Sequence, residues 1–195
     1  MTTATAPAPA APAVPSPGFF PPDAPFLPRL ALRRDVAGGG RGFASSAAFI
    51  ALSPALVCVL DSPTASAATH QEIGAAGFTV HQAWNRAAEV LLEAASASAG
   101  AEFWVRGAQS VLGDAAPPGL QVRGDAARWL AHPRLFSVLH SHFSEVLRPE
   151  RGLTYLTRDC RELFVFDAPA GALARVAGSP SVMRYSLGFP LLLAA

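Results

Sequence analysis

The chain contains no lysine. All 15 basic residues are arginine, set against 14 acids, and charged residues make up only 15% of the 195 positions. The formal net charge is +1, and the arginines are scattered rather than striped along one segment, so the chain lacks the basic field that nucleic-acid binding uses. No nucleic-acid partner is expected. There are 2 cysteines, Cys58 and Cys160, far apart in sequence. They exclude a disulfide framework and point to a reducing, cytoplasmic setting, with one bridge between them as the alternative.

Complete chemical motifs are missing as well. The Gly38-Gly39-Gly40-Arg41-Gly42 run lacks the Gly-Lys-Ser/Thr ending and the preceding strand of a phosphate-binding loop. No Gly-x-Ser-x-Gly nucleophile elbow occurs. His140 and His142 are spaced i, i+2 in a helical pattern, which points them apart and away from a shared metal. His70 and His81 fall in helix starts, and His132, before a proline, is the histidine least accounted for by its position. No metal and no cofactor is expected.

What is present is a fold signal. A domain of about 150 residues can bury roughly 70% of the surface of its unfolded chain without staples. From Pro133, Leu135, Phe136, Leu139, Phe143, Val146 and Leu147 follow the helical period, with Pro149 and Gly152 as the stop. A hairpin follows, Leu153 to Thr157 and Glu162 to Phe166, with the second strand apolar on both faces and therefore central in a sheet. Upstream, Thr69 with Glu72 and Thr79 with Gln82 have capping-box spacing, the second opening a helix from Val80 to about Ala95 with Trp84 as a core anchor. Glu102 to Arg106 and Leu120 to Arg123 read as an antiparallel strand pair, Asp125 as the cap of a turn through Leu130, and Ser181 to Leu187 as a further strand.

The expectation is an α+β fold, an antiparallel sheet packed by two main helices, 80–95 and 133–147, with a disordered N-terminal tail. Residues 1–44 form the Ala/Pro/Gly-rich tail and linker, 45–188 a single domain, and 189–195 a C-terminal tail. Phe19, Phe20 and Phe26 are apolar points in the first segment that could dock on the domain or on a partner. Phe43 to Leu60 is the longest uncharged stretch and admits three readings. It is too interrupted by Pro54 and serines to read well as a membrane span. As an export signal it has Arg33-Arg34 before it and Ala65-Ser66-Ala67 after it, with cleavage near Ala67, but Asp35 and Asp61 count against this. The favoured reading is a core strand from Ala55 to Leu60, closed by Asp61-Ser62-Pro63. An organelle presequence ending near Arg41 is a minor option.

The most polar concentration in the ordered part is the hairpin tip, where Arg158, Asp159 and Arg161 form the candidate binding set and Cys160 lies between two arginines that would favour its thiolate. Turn chemistry of Asp159 explains the same residues without a ligand. No catalytic set can be named.

Leu56-Val-Cys-Val-Leu-Asp61-Ser62, then Thr69 to Gly77, Trp84-Asn85-Arg86-Ala87-Ala88, Pro133-Arg-Leu-Phe136, and Thr157-Arg158-Asp159 before Leu163-Phe-Val-Phe166 resemble, in order, the YtpQ-type family of uncharacterised bacterial proteins, over roughly residues 50 to 188. The chain departs from it in the Pro-rich tail and the compact middle. The resemblance implies a strand at 55–60 and carries over no catalytic residues.

The expected function is a non-enzymatic binding or interaction module with a possible protein partner and no membrane partner. The alternatives are a hydrolase-like or redox enzyme using Asp159 and Cys160, and an exported protein.

Overall fold

Leu56–Asp61 is a run of six residues all buried, and a strand hidden on both faces must be central in its sheet. The computed structural model describes residues 25–36, 42, 45–63, 65–96, 103–173 and 181–193. In chain order these form β1 (Leu27–Leu32), a helical turn α1 (Arg33–Val36), β2 (Phe49–Ala51), β3 (Leu56–Asp61), α2 (His70–Ala75), α3 (Val80–Ala95), β4 (Val105–Gly107), α4 (Gln109–Leu112) and β5 (Gly119–Val122). A 3-10 turn (Ala126–Ala131) leads into α5 (Pro133–Leu147), followed by β6 (Thr154–Thr157), β7 (Leu163–Phe166), α6 (Ala170–Leu173), β8 (Ser181–Ser186) and β9 (Phe189–Leu192).

The fold is α+β, with antiparallel pairing throughout. The strands make two sheets, a three-stranded one in the order β1-β3-β2 and a six-stranded one in the order β4-β5-β7-β6-β8-β9. The strand expected at 55–60 is therefore present, and β7 is central as the apolar run Leu163 to Phe166 required. Leu56, Cys58 and Leu60 join the main core with Trp84, Phe136 and Tyr155, while Val57 and Val59 pack with Ala31 on the opposite face.

Two boundaries differ from the expectation. Residues 27–36 are not linker: β1 pairs with β3 from Leu27 opposite Asp61 to Leu32 opposite Leu56. Pro28 hides this strand from a sequence reading, yet proline is tolerated on an edge strand, and β1 is an edge. Phe26 docks on the domain, buried edge-on against Phe78 with ring centroids 6.4 Å apart, whereas Phe19 and Phe20 lie outside the described residues. At the other end, Phe189–Leu192 is not a tail but β9, hydrogen-bonded to β8.

The local signals around the helices hold. Thr69 and Glu72 form a complete capping box, as do Thr79 and Gln82, each pair satisfying two amides that a helix start leaves orphaned. Helix α5 starts with Pro133 in its first turn and ends as Arg148 takes a left-handed conformation at φ 45°. Its Leu135, Phe136, Leu139 and Phe143 cover one face of the large sheet through Tyr155, Leu163, Val165 and Met183. The other face, with Leu156, Phe164 and Phe166, closes over Ala108, Ala168 and Leu173 from shorter pieces. Between β4 and β5 the expected turn-rich connection contains the short α4, and β5 starts at a glycine. A Cβ at Gly119 would lie 2.2 Å from the Phe166 ring and 2.8 Å from the Val165 carbonyl, so only glycine lets β5 approach β7 there. Gly119→Ala is expected to lower stability by about 1–3 kcal/mol in urea denaturation, because the central strand or the Phe166 ring must shift.

Candidate functional site

The hairpin tip is a closed structural turn. Asp159 Oδ1 accepts the backbone N–H groups of Arg161 and Glu162, both at 2.9 Å. These bonds outweigh the opposing effect of partial burial and hold the Asp159 carboxyl below its ordinary range. Arg158 turns back onto Glu162, donating from Nε at 2.8 Å, and its guanidinium lies 5.7 Å from the centre of the Phe164 ring. Arg161 contributes its carbonyl to the N–H of Ala127. The tip thus brings Arg158, Asp159 and Arg161 together, but their contacts stabilise the turn and its attachment to the 3-10 segment.

Cys160 sits in that turn with φ 60°, half-buried, and both cysteines are free thiols. Burial first, and then the charge of Asp159, pushes the Cys160 thiol up, the opposite of the thiolate that flanking arginines suggested. Burial pushes Cys58 up to about 12.

The histidines have structural partners. His132 caps α5: its Nδ1 accepts the Arg134 N–H at 3.2 Å, its Nε2 meets Asn85 Oδ1 at 3.2 Å, and its ring packs on Trp84 with centroids 4.4 Å apart. Only 3% exposed, it cannot easily accept a charge, and burial pushes its pKa down to about 4, aided by nearby Arg134. His142 packs on Phe103. His140 stacks on Tyr185 at 4.1 Å and bonds the Tyr155 hydroxyl at 2.8 Å. Burial lowers the His140 pKa and raises that of Tyr155, so the bond joins a neutral ring to a neutral phenol. Among the described residues no group of three or more His, Cys, Asp or Glu side chains could hold a metal ion.

A charged network that no sequence pattern signalled lies on the other side of the core. Asp61, at the end of β3, receives Arg29 from β1 at 2.9 Å and Arg128 from the 3-10 turn at 3.2 Å. Arg128 also reaches Asp125 at 2.6 Å and the Pro28 carbonyl at 3.1 Å. Asp125 therefore binds Arg128 instead of capping the turn through its side chain, as had been expected. The partners of Asp61 are separated from it by long stretches of chain, which is why the network was invisible.

Among the described residues a groove of about 400 Å³ opens beside the start of α5, lined by Leu92, Pro133, Arg134, Ser137, Val138, Leu187 and Gly188. Its wall is built by the β8–β9 hairpin. Ser186 pairs with Phe189, leaving Leu187 and Gly188 as a two-residue loop, and both have positive φ, 50° and 90°. That is the geometry of a type I′ turn, which favours Asn-Gly because leucine is strained at the first position. Gly188 has a second reason: a Cβ there would lie 2.8 Å from Pro133 Cβ. Leu187 is 90% exposed. Ser137, one of the lining residues, is hydrogen-bonded through Oγ to Tyr185 OH at 3.0 Å. The Leu-Gly dipeptide after a strand is the sequence signal for this turn; the strand expected over Ser181 to Leu187 ends one residue earlier, at Ser186.

Two stability predictions follow from the buried polar groups. Asp61→Asn leaves two arginines without their carboxylate and is expected to cost about 3–5 kcal/mol in urea unfolding. His132 has a folded pKa near 4 against 6.5 ordinarily, so the unfolded chain takes up its proton first. Its contribution is intact above pH 6.5 and is lost on acidification toward pH 4, by at most about 3 kcal/mol. His140 shifts in the same direction. Replacing His132 by Gln should lower stability at neutral pH while flattening the slope between pH 6.5 and 4; an unchanged slope would refute the assignment.

Compared with known protein families, characterised proteins and solved structures, the chain finds no match.

Proposed function

We propose that the protein is a non-enzymatic binding module that engages a protein partner through the groove between α5 and the β8–β9 turn. The observation that carries this reading is Leu187, an apolar side chain 90% exposed and held in a left-handed conformation at the rim of an apolar groove. A single exposed leucine is ordinary, but here exposure comes with backbone strain of about 1–2 kcal/mol that Asn or Gly would avoid. Strain retained without a folding benefit points to use.

The groove is open rather than enclosed, which suits the side chain of another protein better than a small molecule that must be largely surrounded. The Ser137 hydroxyl that lines it is already engaged with Tyr185, which favours contact over catalysis. The raised Cys160 thiol and the self-contained Asp159 turn give the enzymatic alternative at the hairpin tip no support of its own. Among the described residues no helix is long and apolar enough to cross a membrane. The two free thiols support a reducing, cytoplasmic setting.

The test uses N-acetyl-leucine methylamide as a stand-in for a partner's apolar side chain, titrated against the isotope-labelled full chain. Saturable NMR shifts at Leu92, Val138 and Leu187 are expected; shifts elsewhere, or none, sink the reading. Leu187→Asn should weaken those shifts while raising stability by about 1 kcal/mol, since asparagine suits the turn that leucine strains.

A further inference from the structure

The groove beside α5 is not wholly apolar. Leu92, Pro133, Val138 and Leu187 give it an apolar surface, while Arg134 and Ser137, three residues apart and so on one side of the helix, add a cation and a hydroxyl. The Arg134 side chain is 62% exposed, and its one ion pair among the described residues, with Glu89, is at 4.0 Å. Glu89 is held more closely by Arg86, at 3.4 Å. A guanidinium has five N–H donors in a planar fork, so most of the donor capacity of Arg134 is unspent. The Ser137 and Tyr185 hydroxyls hold two protons between them and share one hydrogen bond, which leaves the pair one O–H to donate. The groove also lies at the start of the 15-residue α5, the positive end of its dipole. Cation, hydroxyl and dipole together favour a carboxylate attached to an apolar body.

Resting on the binding role proposed above, we infer that the groove takes the free C-terminus of a partner polypeptide whose last residue is apolar, with the terminal carboxylate on Arg134 and Ser137 and the last side chain on Pro133, Val138 and Leu187. Charge complementarity selects a chain end over an internal apolar side chain, which would set a neutral amide opposite the guanidinium and forgo the charge-assisted hydrogen bonds. The open shape selects a chain end over a free carboxylic acid, because the residues before the terminus need a way out, whereas a small molecule needs to be surrounded. Glu89 opposes the incoming carboxylate and sets the limit on its affinity.

N-acetyl-leucine and N-acetyl-leucine methylamide differ only in whether the leucine ends in a carboxylate or an amide, and NMR titration of the full chain at pH 7 and low salt compares them. N-acetyl-leucine should bind about threefold to tenfold more tightly, and the advantage should shrink as salt is raised to about 0.5 M. Arg134→Gln, with an unchanged circular dichroism spectrum, should remove the advantage, and Glu89→Gln should enlarge it by withdrawing the competing carboxylate. Acetyl-Ala-Ala-Leu with a free carboxylate should bind at least as tightly as N-acetyl-leucine, since the added residues leave by the open side. Equal binding of the matched pair, an advantage that survives Arg134→Gln or falls with Glu89→Gln, or exclusion of the longer peptide overturns the inference. If the methylamide gives saturable shifts in the groove and the carboxylate brings no advantage, the C-terminal inference fails and the binding role stands; if neither compound binds, both fail.

Discussion

The buried carboxylate of Asp61 is the interaction on which the arrangement of the parts depends. It takes the guanidinium of Arg29 from the edge strand β1, that of Arg128 from the 3-10 turn, and the N–H of Ala67 from the loop beyond β3. A charge removed from water is tolerated only when its lone pairs are occupied, so each partner must arrive for the others to be stable. Arg128 extends the network to Asp125 and to the Pro28 carbonyl. The small sheet is thereby fastened to the segment that leads into α5. That segment is also held by the Trp84 indole, whose Nε1 donates to the Ala131 carbonyl at 2.8 Å, and its next residue, His132, caps the helix.

Most residues with chemical potential are committed to such fastening. His132 closes a helix start, His140 lies between two tyrosines, and Asp159 holds a tight turn. Their pKa displacements arise from burial and backbone hydrogen bonding, the ordinary consequences of packing polar groups in a low-dielectric interior. A perturbed pKa marks a functional site only where the group is free to act, and these are not. Leu187 is the reverse case: an inert side chain whose placement serves neither core packing nor its own turn.

At the hairpin tip, concentrated charge and turn chemistry fall on the same residues. Arg-Asp-Cys-Arg at a turn looks like concentrated charge. In three dimensions Arg158 faces Glu162, which also accepts from Gln121 at 3.3 Å, while Asp159 accepts the backbone N–H groups of Arg161 and Glu162 within the turn.

The sequence by itself determined whatever closes within a few residues. The two capping boxes, helices α3 and α5, the hairpin of β6 and β7, and the buried strand β3 were all legible, because their hydrogen bonds span three or four positions or their apolar period is local. Tertiary structure decided the rest: the recruitment of Leu27–Leu32 into a sheet, the division of the strands into two sheets, the Asp61 network and the groove. Each of these joins residues far apart in the chain. Arg29 and Asp61 are 32 positions apart, Arg128 and Pro28 100, and Ser137 and Tyr185 48. Contacts of that range depend on which surfaces meet after the core has formed, and no local pattern encodes them.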